Sequence, residues 1–318
     1  MIWLTWRQHR SEALVMGGVL AALVALLVVT RRAIYSTFDQ LGVAGCLTDR
    51  FDSNCPQIIQ AFGKQFTFLR FAVPWLNLAP VLVAMLVGAP LVARELEHGT
   101  HRLVWTQGVT RLRWLVVKLG LVLVGCLLAE AILIALLTWW RGPFSRLEGS
   151  FGKVFDLEGT APVAYMVFAV AAALAAGTLL RRTLPAMVLT LALFLGVRIP
   201  VSAWVRPHYQ APITVTYDLA TGDEGIRTGD WVIDDGFVNA SGAAVDFSEI
   251  VNNCTANGQS LEKQSLFQCA GAHRFQGRVV YQPADRLATF QAIETALYLG
   301  LATTLLGLTV YWVRRRVS

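Results

Sequence analysis

The sequence has few charged residues: 15% of its 318 residues are Asp, Glu, Lys or Arg, whereas 55% are hydrophobic. A soluble globular domain has about 25% charged residues, and the deficit is not spread evenly here. Apolar runs of about 20 residues alternate with short clusters of arginine and lysine, a pattern typical of membrane-spanning proteins. The composition therefore excludes a secreted enzyme, a cytosolic domain, a disordered chain and a coiled-coil rod.

The sequence also lacks the motifs of common catalytic sites. It contains no GxxxxGK[ST], HExxH or GxSxG pattern, so the chain has no phosphate-binding loop of its own and is not predicted to hydrolyse ATP. His98 and His101 are separated by Gly99 and have no third ligand nearby, so no metal site is predicted. We expect a non-catalytic protein that binds no cofactor itself. Nucleic acid is not an expected partner, because the basic residues cluster at the ends of apolar runs.

Six runs are long and apolar enough to cross a membrane, which requires about 20 helical residues. They are residues 13–30, 73–93, 119–138, 161–180, 184–205 and 288–312. Pro80 and Pro90 are expected to bend the second run. Small residues recur every fourth position in the first run (Gly17, Ala21, Ala25) and the fourth (Ala169, Ala173, Gly177), and such stripes allow close helix packing. Packing within one subunit is favoured over a subunit interface.

Six spans place both termini on one side, and the charges indicate which side. That side carries these basic residues: Arg7, Arg10, Arg94, Arg102, Arg111, Arg113, Lys118, Arg181, Arg182, Arg314, Arg315 and Arg316. Its acids are only Glu12, Glu95 and Glu97. The opposite side is much longer and has similar numbers of acids and bases. The positive-inside rule therefore predicts that both termini are cytoplasmic.

Four cysteines lie in segments assigned to the outer side: Cys46, Cys55, Cys254 and Cys269. An oxidising compartment allows disulfides there. Proximity in the sequence favours Cys46–Cys55 and Cys254–Cys269, although four cysteines allow three pairings. A metal site is the weaker alternative, because no Cys-x-x-Cys pair occurs.

The spans divide the chain into three predicted parts. Residues 1–205 contain the first five spans, preceded by residues 1–12, whose tryptophans and arginines predict an amphipathic helix on the inner membrane surface. Residues 206–286 contain short β-like stretches between prolines and glycines, which predict a small, mostly β extracytoplasmic domain. Residues 287–318 form the last span and a basic cytoplasmic tail. The predicted fold is thus an all-α polytopic membrane protein with one β insertion.

Three charged residues fall within predicted spans, where an ionised side chain is costly. Glu130, Arg198 and Glu294 lie about six to eight residues from the outer ends of spans three, five and six, hence at similar depth. This spacing predicts an intramembrane charge cluster, and Pro200 should disturb the helix beside Arg198. An ion pair that holds spans five and six together is slightly favoured over an outer gate or substrate contact.

The inner loop at residues 94–118 has the most specific pattern. It contains Glu95 followed by Gly99 and Thr100, and then a short amphipathic stretch with Arg111 and Lys118 that opens the third span. This pattern resembles the cytoplasmic loop of ABC-2 type transporter permeases. The opening Thr5-Trp-Arg-Gln-His and the stretch from Tyr281 to Thr295 are similar to permease subunits of actinobacterial exporters.

The resemblance implies a multi-pass plasma-membrane permease of an ABC exporter. Two separate ATPase subunits would bind ATP and Mg²⁺, and a second permease subunit, the same or a sibling, would complete the complex within the lipid. Glu95, Gly99, Thr100, Arg111 and Lys118 would belong to the coupling element that docks on the ATPase. The substrate would be amphipathic or hydrophobic. The alternative is a six-span sensor or assembly protein whose outer domain binds a ligand.

Overall fold

The computed structural model describes residues 2–48, 54–98, 110–149, 151, 154–221, 225–255 and 263–315. Among these residues, six helices are long and apolar enough to span a membrane. Spans 1 to 6, in chain order, are Leu14–Gln40, Thr67–Glu97, Val116–Trp140, Ala161–Leu180, Thr183–His208 and Ala284–Arg315. Each overlaps the run predicted from the sequence, so the prediction of a mostly helical, multi-pass membrane protein is confirmed.

The helices within and between these spans have the following bounds. They are α1 Ile2–Gln40, α2 Val43–Thr48, α3 Cys55–Gln65, α4 Thr67–Ala72, α5 Ala79–Val83, α6 Ala89–Glu97, α7 Arg111–Trp140, α8 Gly142–Glu148, α9 Ala161–Leu180, α10 Thr183–Pro200, α11 Phe247–Cys254, α12 Lys263–Ala272 and α13 Leu287–Arg315. Tighter or wider turns complete two spans: 3₁₀ Val73–Leu78 and π Ala84–Gly88 in span 2, and π Val201–Val205 and 3₁₀ Arg206–His208 in span 5. A 3₁₀ turn, Ala284–Arg286, opens span 6.

The first helix differs from the sequence prediction. The residues predicted to form a separate surface helix, 1–12, instead continue into span 1 where they are described, because α1 is one helix of 39 residues. No proline or glycine lies between Trp6 and Met16 to interrupt it. The helix also passes the predicted end at residue 30, where the Arg31 guanidinium stacks on the rings of Trp139 and Tyr35, 4.0 and 4.3 Å from their centroids.

Span 2 consists of short helical segments, and two of them begin beside Pro80 and Pro90, the prolines expected to bend it. Pro74, Pro80 and Pro90 each lie in the first turn of a new segment. Proline is tolerated there because the first turn of a helix leaves its N–H groups without intrahelical partners. A new segment of the span therefore begins beside each proline.

Span 4 lies at the centre of the bundle and contacts spans 2, 3, 5 and 6. Its small-residue stripe packs against span 2, since a Cβ atom added to Gly177 would lie 3.1 Å from the Ala89 carbonyl oxygen. A Cβ on Gly88 would likewise lie 3.0 Å from the Cβ of Ala173. The favoured interpretation of this stripe, packing within one subunit, agrees with these contacts. The corresponding Gly17 of span 1 has no neighbour within 4 Å of an added Cβ.

A four-stranded antiparallel sheet follows span 5. Its strands are β1 Ile213–Asp218, β2 Trp231–Val238, β3 Ala244–Val245 and β4 Gln276–Gln282. They are ordered β1-β4-β2-β3, with Ile213 opposite Tyr281 and Phe237 opposite both Gly277 and Val245. The helices α11 and α12 were not predicted, and they add an α component to the region that the sequence analysis described as mostly β.

Both predicted disulfides are present. Cys46–Cys55 joins α2 to α3, and Cys254–Cys269 joins α11 to α12 beside the small core formed by Ile250 and Ala270. Cys126 is free and buried within span 3.

We name the two ends of the bundle by what lies there. The loop end is where residues 94–118 connect span 2 to span 3 and where Arg181 and Arg182 connect span 4 to span 5. The sheet end is opposite, and it contains the four strands and the connection at residues 141–160.

Candidate functional site

Glu95 and Lys118 form an ion pair at the base of the loop between spans 2 and 3. The Trp114 indole also donates a hydrogen bond from Nε1 to Glu95 Oε2 at 3.1 Å, and the Lys118 ammonium lies 5.3 Å from the centre of the Trp114 ring. Trp114 and Lys118 are both buried. Two of the five residues assigned to the coupling element therefore meet, and their contact joins the end of span 2 to the start of span 3.

The helix that carries Lys118 begins at a defined cap. Thr110 has extended backbone, and its hydroxyl accepts a 3.3 Å hydrogen bond from the Arg113 N–H. Arg111 is the first helical residue of α7. Gly99 and Thr100, the other two residues assigned to coupling, lie outside the described residues. The described part of the loop is thus continuous helix from Arg111 into span 3.

Glu97 makes a second connection at the loop end that the sequence analysis did not identify. Its Oε2 accepts hydrogen bonds from the Thr183 N–H at 3.1 Å and from the Thr183 hydroxyl at 2.9 Å. Thr183 is the first residue of α10, so a carboxylate of span 2 caps the helix of span 5. Glu95 and Glu97 therefore join the start of the loop to two different spans.

A larger polar cluster lies at the sheet end, and we call it the charge network. It consists of Asp156, Arg198, Arg206 and Glu294, with Tyr165 and Tyr209 around Glu294. Arg206 contacts Glu294 through two nitrogens, Nε to Oε2 at 2.8 Å and Nη2 to Oε1 at 2.7 Å. Arg198 Nη1 lies 3.2 Å from the same Oε1. The predicted pair of Arg198 and Glu294 is therefore present, and Arg206 forms the closer contact.

Asp156 completes the charge network from the connection between spans 3 and 4. Its Oδ1 lies 2.5 Å from Arg198 Nη2 and 2.6 Å from Arg206 Nη2. The Asp156 side chain keeps 20% of its exposure, whereas that of Glu294 is fully buried. Two cations and two carboxylates meet here, so the charges balance in a place where one unpaired charge would cost several kcal/mol.

Aromatic rings hold the two arginines in position. The guanidinium of Arg198 lies 4.1 Å from the ring centre of Tyr165, and that of Arg206 lies 4.2 Å from the ring centre of Phe155. Tyr165 also donates from its hydroxyl to Glu294 Oε1 at 2.7 Å, and Tyr209 donates to Oε2 at 3.2 Å. Glu294 thus accepts hydrogen bonds from both tyrosines and both arginines.

Hydrogen bonds and close backbone packing hold the connection that carries Asp156 in place. The Gln291 amide of span 6 donates to the carbonyls of Phe155 and Glu158 at 2.9 and 3.0 Å, and its oxygen accepts from the Ala161 N–H at 2.7 Å. Gly149, with φ of +70°, comes so close to Gly229 that an added Cβ would lie 2.2 Å from the Gly229 Cα. Only glycine fits such an approach.

The surroundings of Asp156 keep it ionised. Burial disfavours the charged carboxylate, but the guanidinium groups of Arg198 and Arg206 outweigh this and hold the pKa of Asp156 below its ordinary value. For Tyr209, burial raises the pKa of the phenol, with Glu294 acting in the same direction. Tyr209 therefore acts as a neutral hydrogen-bond donor.

Glu130, the third residue of the predicted cluster, is not part of the charge network. It is buried in span 3, and among the described residues no ion pair or hydrogen bond joins it to Arg198 or Glu294. The prediction from depth fails because depth along a helix fixes the level of a side chain but not the direction in which it points.

Arg206 and Asp156 were not predicted to join the cluster, because both lie outside the spans predicted from the sequence. A π turn at Val201–Val205, directly after Pro200, contains one more residue than a regular turn. Arg206 consequently takes the position that the seventh residue after Arg198 would occupy in a regular helix, on nearly the same face. The predicted disturbance at Pro200 was the signal that could have found it.

Six helices long and apolar enough to span a membrane define a multi-pass membrane protein. The sequence profile of the family described as "ABC-2 membrane transporter related" matches residues 17–206, and the chain therefore belongs to that family. Membership indicates a membrane permease component of an ABC transporter, a typically non-catalytic role that implies association with an ABC ATPase. No curated protein and no solved structure matches the chain.

Proposed function

We propose that this chain is the transmembrane subunit of an ABC exporter, driven by two separate ATPase subunits that bind ATP and Mg²⁺ and dock on the loop at residues 94–118. A second permease subunit would complete the translocation path, and the substrate would be amphipathic or hydrophobic. The observation that carries this proposal is the family match together with the ties of Glu95 and Glu97 to spans 3 and 5.

A loop that transmits force needs rigid connections to the helices that it moves. The Glu95–Lys118 pair and the Trp114 hydrogen bond supply one connection, and the Thr110 cap starts span 3 without a flexible joint. The Glu97 cap on Thr183 supplies another, because a displaced Glu97 would carry or release the first turn of span 5. Docking at residues 94–118 would therefore act on three spans together.

Charge and the disulfides support the orientation that we propose in the membrane. The loop end carries Arg94, Arg113, Arg181 and Arg182, whereas the sheet end carries both disulfides. A cytoplasmic loop end agrees with the positive-inside rule, and an outer sheet end agrees with an oxidising compartment. This orientation would bring the loop to a cytoplasmic ATPase and make the sheet end the exit side.

The test is purification of the tagged full-length protein from its native host in a mild detergent, followed by an ATP hydrolysis assay of the eluate. We expect a co-purifying ATPase whose activity is lost with Glu95→Gln or Arg111→Ala. Glu249→Gln, at an exposed acid of α11, is the matched control and should change nothing. An eluate that never contains an ATPase in several mild detergents would contradict the proposal and favour the sensor, with residues 206–286 as its ligand-binding part.

A further inference from the structure

Asp156 lies in the charge network as a carboxylate held by two cations. Its Oδ1 is within 2.6 Å of Nη2 of both Arg198 and Arg206, and the Tyr165 hydroxyl lies 3.3 Å away. Asp156 comes from the connection between spans 3 and 4, whereas the arginines and Glu294 belong to spans 5 and 6. Of the four charged members of the network, it has the most exposed side chain. A carboxylate on a separate segment, reachable from solvent, can be replaced by another anion.

The charge network also has hydrogen-bond donors that the chain does not use. Arg198 Nε and the Tyr298 hydroxyl are buried and have no hydrogen-bond partner. Tyr298 is fully buried, and its ring packs on Tyr165 at 4.7 Å between centroids. Buried donors without partners are rare and call for an explanation. Arg198 Nε can only donate, whereas the Tyr298 hydroxyl can donate or accept, so one anionic acceptor would satisfy both groups.

The charges of the site fit a single anion. With Asp156 in place, two arginines face two carboxylates and the net charge is zero. Without it, Arg198 and Arg206 face Glu294 alone, and the site carries one positive charge. Guanidinium groups bind carboxylates and phosphates through paired N–H donors, and burial strengthens such contacts.

The neighbouring surface suits an apolar tail on that anion. Ile199, Trp204 and Val205 of span 5 lie between the two arginines in sequence, and each is exposed on the outside of the bundle. These residues lie on other faces of span 5 than the buried arginines, and they turn that part of the helix towards lipid, the surroundings that the hydrocarbon tail of an amphipathic anion requires.

We propose that Arg198, Arg206 and Tyr298 form a binding site for the carboxylate or phosphate head group of an amphipathic substrate, and that Asp156 occupies this site when no substrate is bound. The inference rests on the proposed permease function and adds the chemical class of the substrate. Asp156 then competes with the substrate, so that binding of the head group would release the connection between spans 3 and 4 from span 5.

The experiment measures equilibrium binding of radiolabelled dodecyl phosphate to the full-length protein in phosphatidylcholine nanodiscs. We expect Asp156→Asn to bind it at least about tenfold more tightly than the wild type, because the competing carboxylate is gone. Adding Arg206→Gln to that variant should abolish the gain. Asp234→Asn removes an exposed aspartate that also pairs with an arginine, Arg278, and it should leave binding unchanged.

Competing ligands identify the source of the anion. Unlabelled dodecanoate should displace the probe, and dodecyltrimethylammonium should not. Displacement by inorganic phosphate at similar concentration would overturn the amphipathic assignment and indicate a site for free anions. Equal binding of dodecyl phosphate by the wild type and Asp156→Asn would overturn the whole proposal.

A second variant serves if Asp156→Asn does not fold. Tyr298→Phe removes one donor and no charge, and it should weaken dodecyl phosphate binding to the otherwise wild-type protein, whereas Tyr311→Phe at an exposed position of span 6 should not. Unchanged binding in Tyr298→Phe would count against the site. These assays need no ATPase, so the site could stand even if no ATPase co-purified, and it could fail while the permease function held.

Discussion

The two ends of the bundle are held together in different ways. At the loop end, contacts are pairwise: Glu95 joins span 2 to span 3, and Glu97 joins span 2 to span 5. At the sheet end, one fully buried carboxylate, Glu294, contacts side chains of spans 4 and 5 and the residue that follows span 5, and Asp156 adds the connection after span 3. The loop end is therefore held by separate pairwise contacts. The sheet end is held by one ion network whose members share their partners.

This difference suggests how motion could be divided between the ends. At the loop end, the Glu95 contact or the Glu97 contact can break without disturbing the other. This independence suits a surface where a partner docks and departs. The charge network can change only if another anion replaces Asp156 or if several contacts break together. We therefore expect substitutions at the sheet end to reduce stability and substitutions at the loop end to reduce ATP-driven activity.

The largest effect is expected from Glu294→Gln. It leaves two buried arginines with one carboxylate, and removal of one partner from a buried ion pair costs about 3–5 kcal/mol. Denaturant titration of the purified protein in micelles measures the free energy of unfolding. Glu249→Gln is the control at an exposed glutamate. If Glu294→Gln lowers the free energy of unfolding no more than this control does, the charge network does not stabilise the sheet end as we expect.

A smaller effect is expected from packing at the loop end. Gly177→Leu places a side chain where a Cβ already lies 3.1 Å from the Ala89 carbonyl, and overpacking of this kind costs about 1–3 kcal/mol. Gly196→Leu in span 5 is the matched control, because no atom lies within 4 Å of an added Cβ there. The same titration compares the two variants. If they unfold alike, close packing of spans 2 and 4 does not support the loop end.

Glu95→Gln should lower the free energy of unfolding by only about 1–2 kcal/mol, the cost of leaving a buried donor unsatisfied. The long Lys118 side chain can move its ammonium to the water interface, which limits the loss. ATP hydrolysis by the assembled complex should nevertheless fall strongly. This variant and Glu294→Gln carry the same chemical change, so they compare the two ends directly. Full ATPase activity in the Glu95→Gln complex would contradict the expectation that substitutions at the loop end reduce ATP-driven activity.

The smallest effect is expected from Asp234→Asn. The Asp234–Arg278 pair lies on the sheet with its aspartate side chain 56% exposed, and pairs of this kind contribute below about 1 kcal/mol. The unfolding midpoint should stay within error of the wild type. A large loss would mean that the sheet region depends on surface charge, and the contrast between buried and exposed pairs would then fail.

The sequence was sufficient for features that depend on local pattern. Apolar run length located all six spans, Pro80 and Pro90 marked two of the segment starts in span 2, and the spacing of four cysteines suggested both disulfides. The pair of Arg198 and Glu294 also followed from depth along the helices. The resemblance to ABC-2 permeases assigned Glu95 and Lys118 to the coupling element, and in the structure these two residues form an ion pair.

Other features depend on direction around a helix or on contacts between distant segments. Glu130 shares the depth of Arg198 but points elsewhere. Arg206 reaches the charge network only because a π turn shifts the helical register, and Asp156 reaches it from a connecting segment. The Glu97 cap on Thr183 links residues 86 positions apart, for which no local pattern exists. Residues 2–12 continue as helix into span 1 because no proline or glycine interrupts them.

The most direct test of the account is photo-crosslinking in native membranes. A photoreactive amino acid at position 113, exposed in the first turn of α7 at the loop end, should capture an ABC ATPase. The same amino acid at position 249, exposed on α11 at the sheet end, should not. Capture from position 113 alone is the predicted result. Capture from position 249, or from neither position while the protein is correctly inserted, would contradict docking of the ATPase at the loop end.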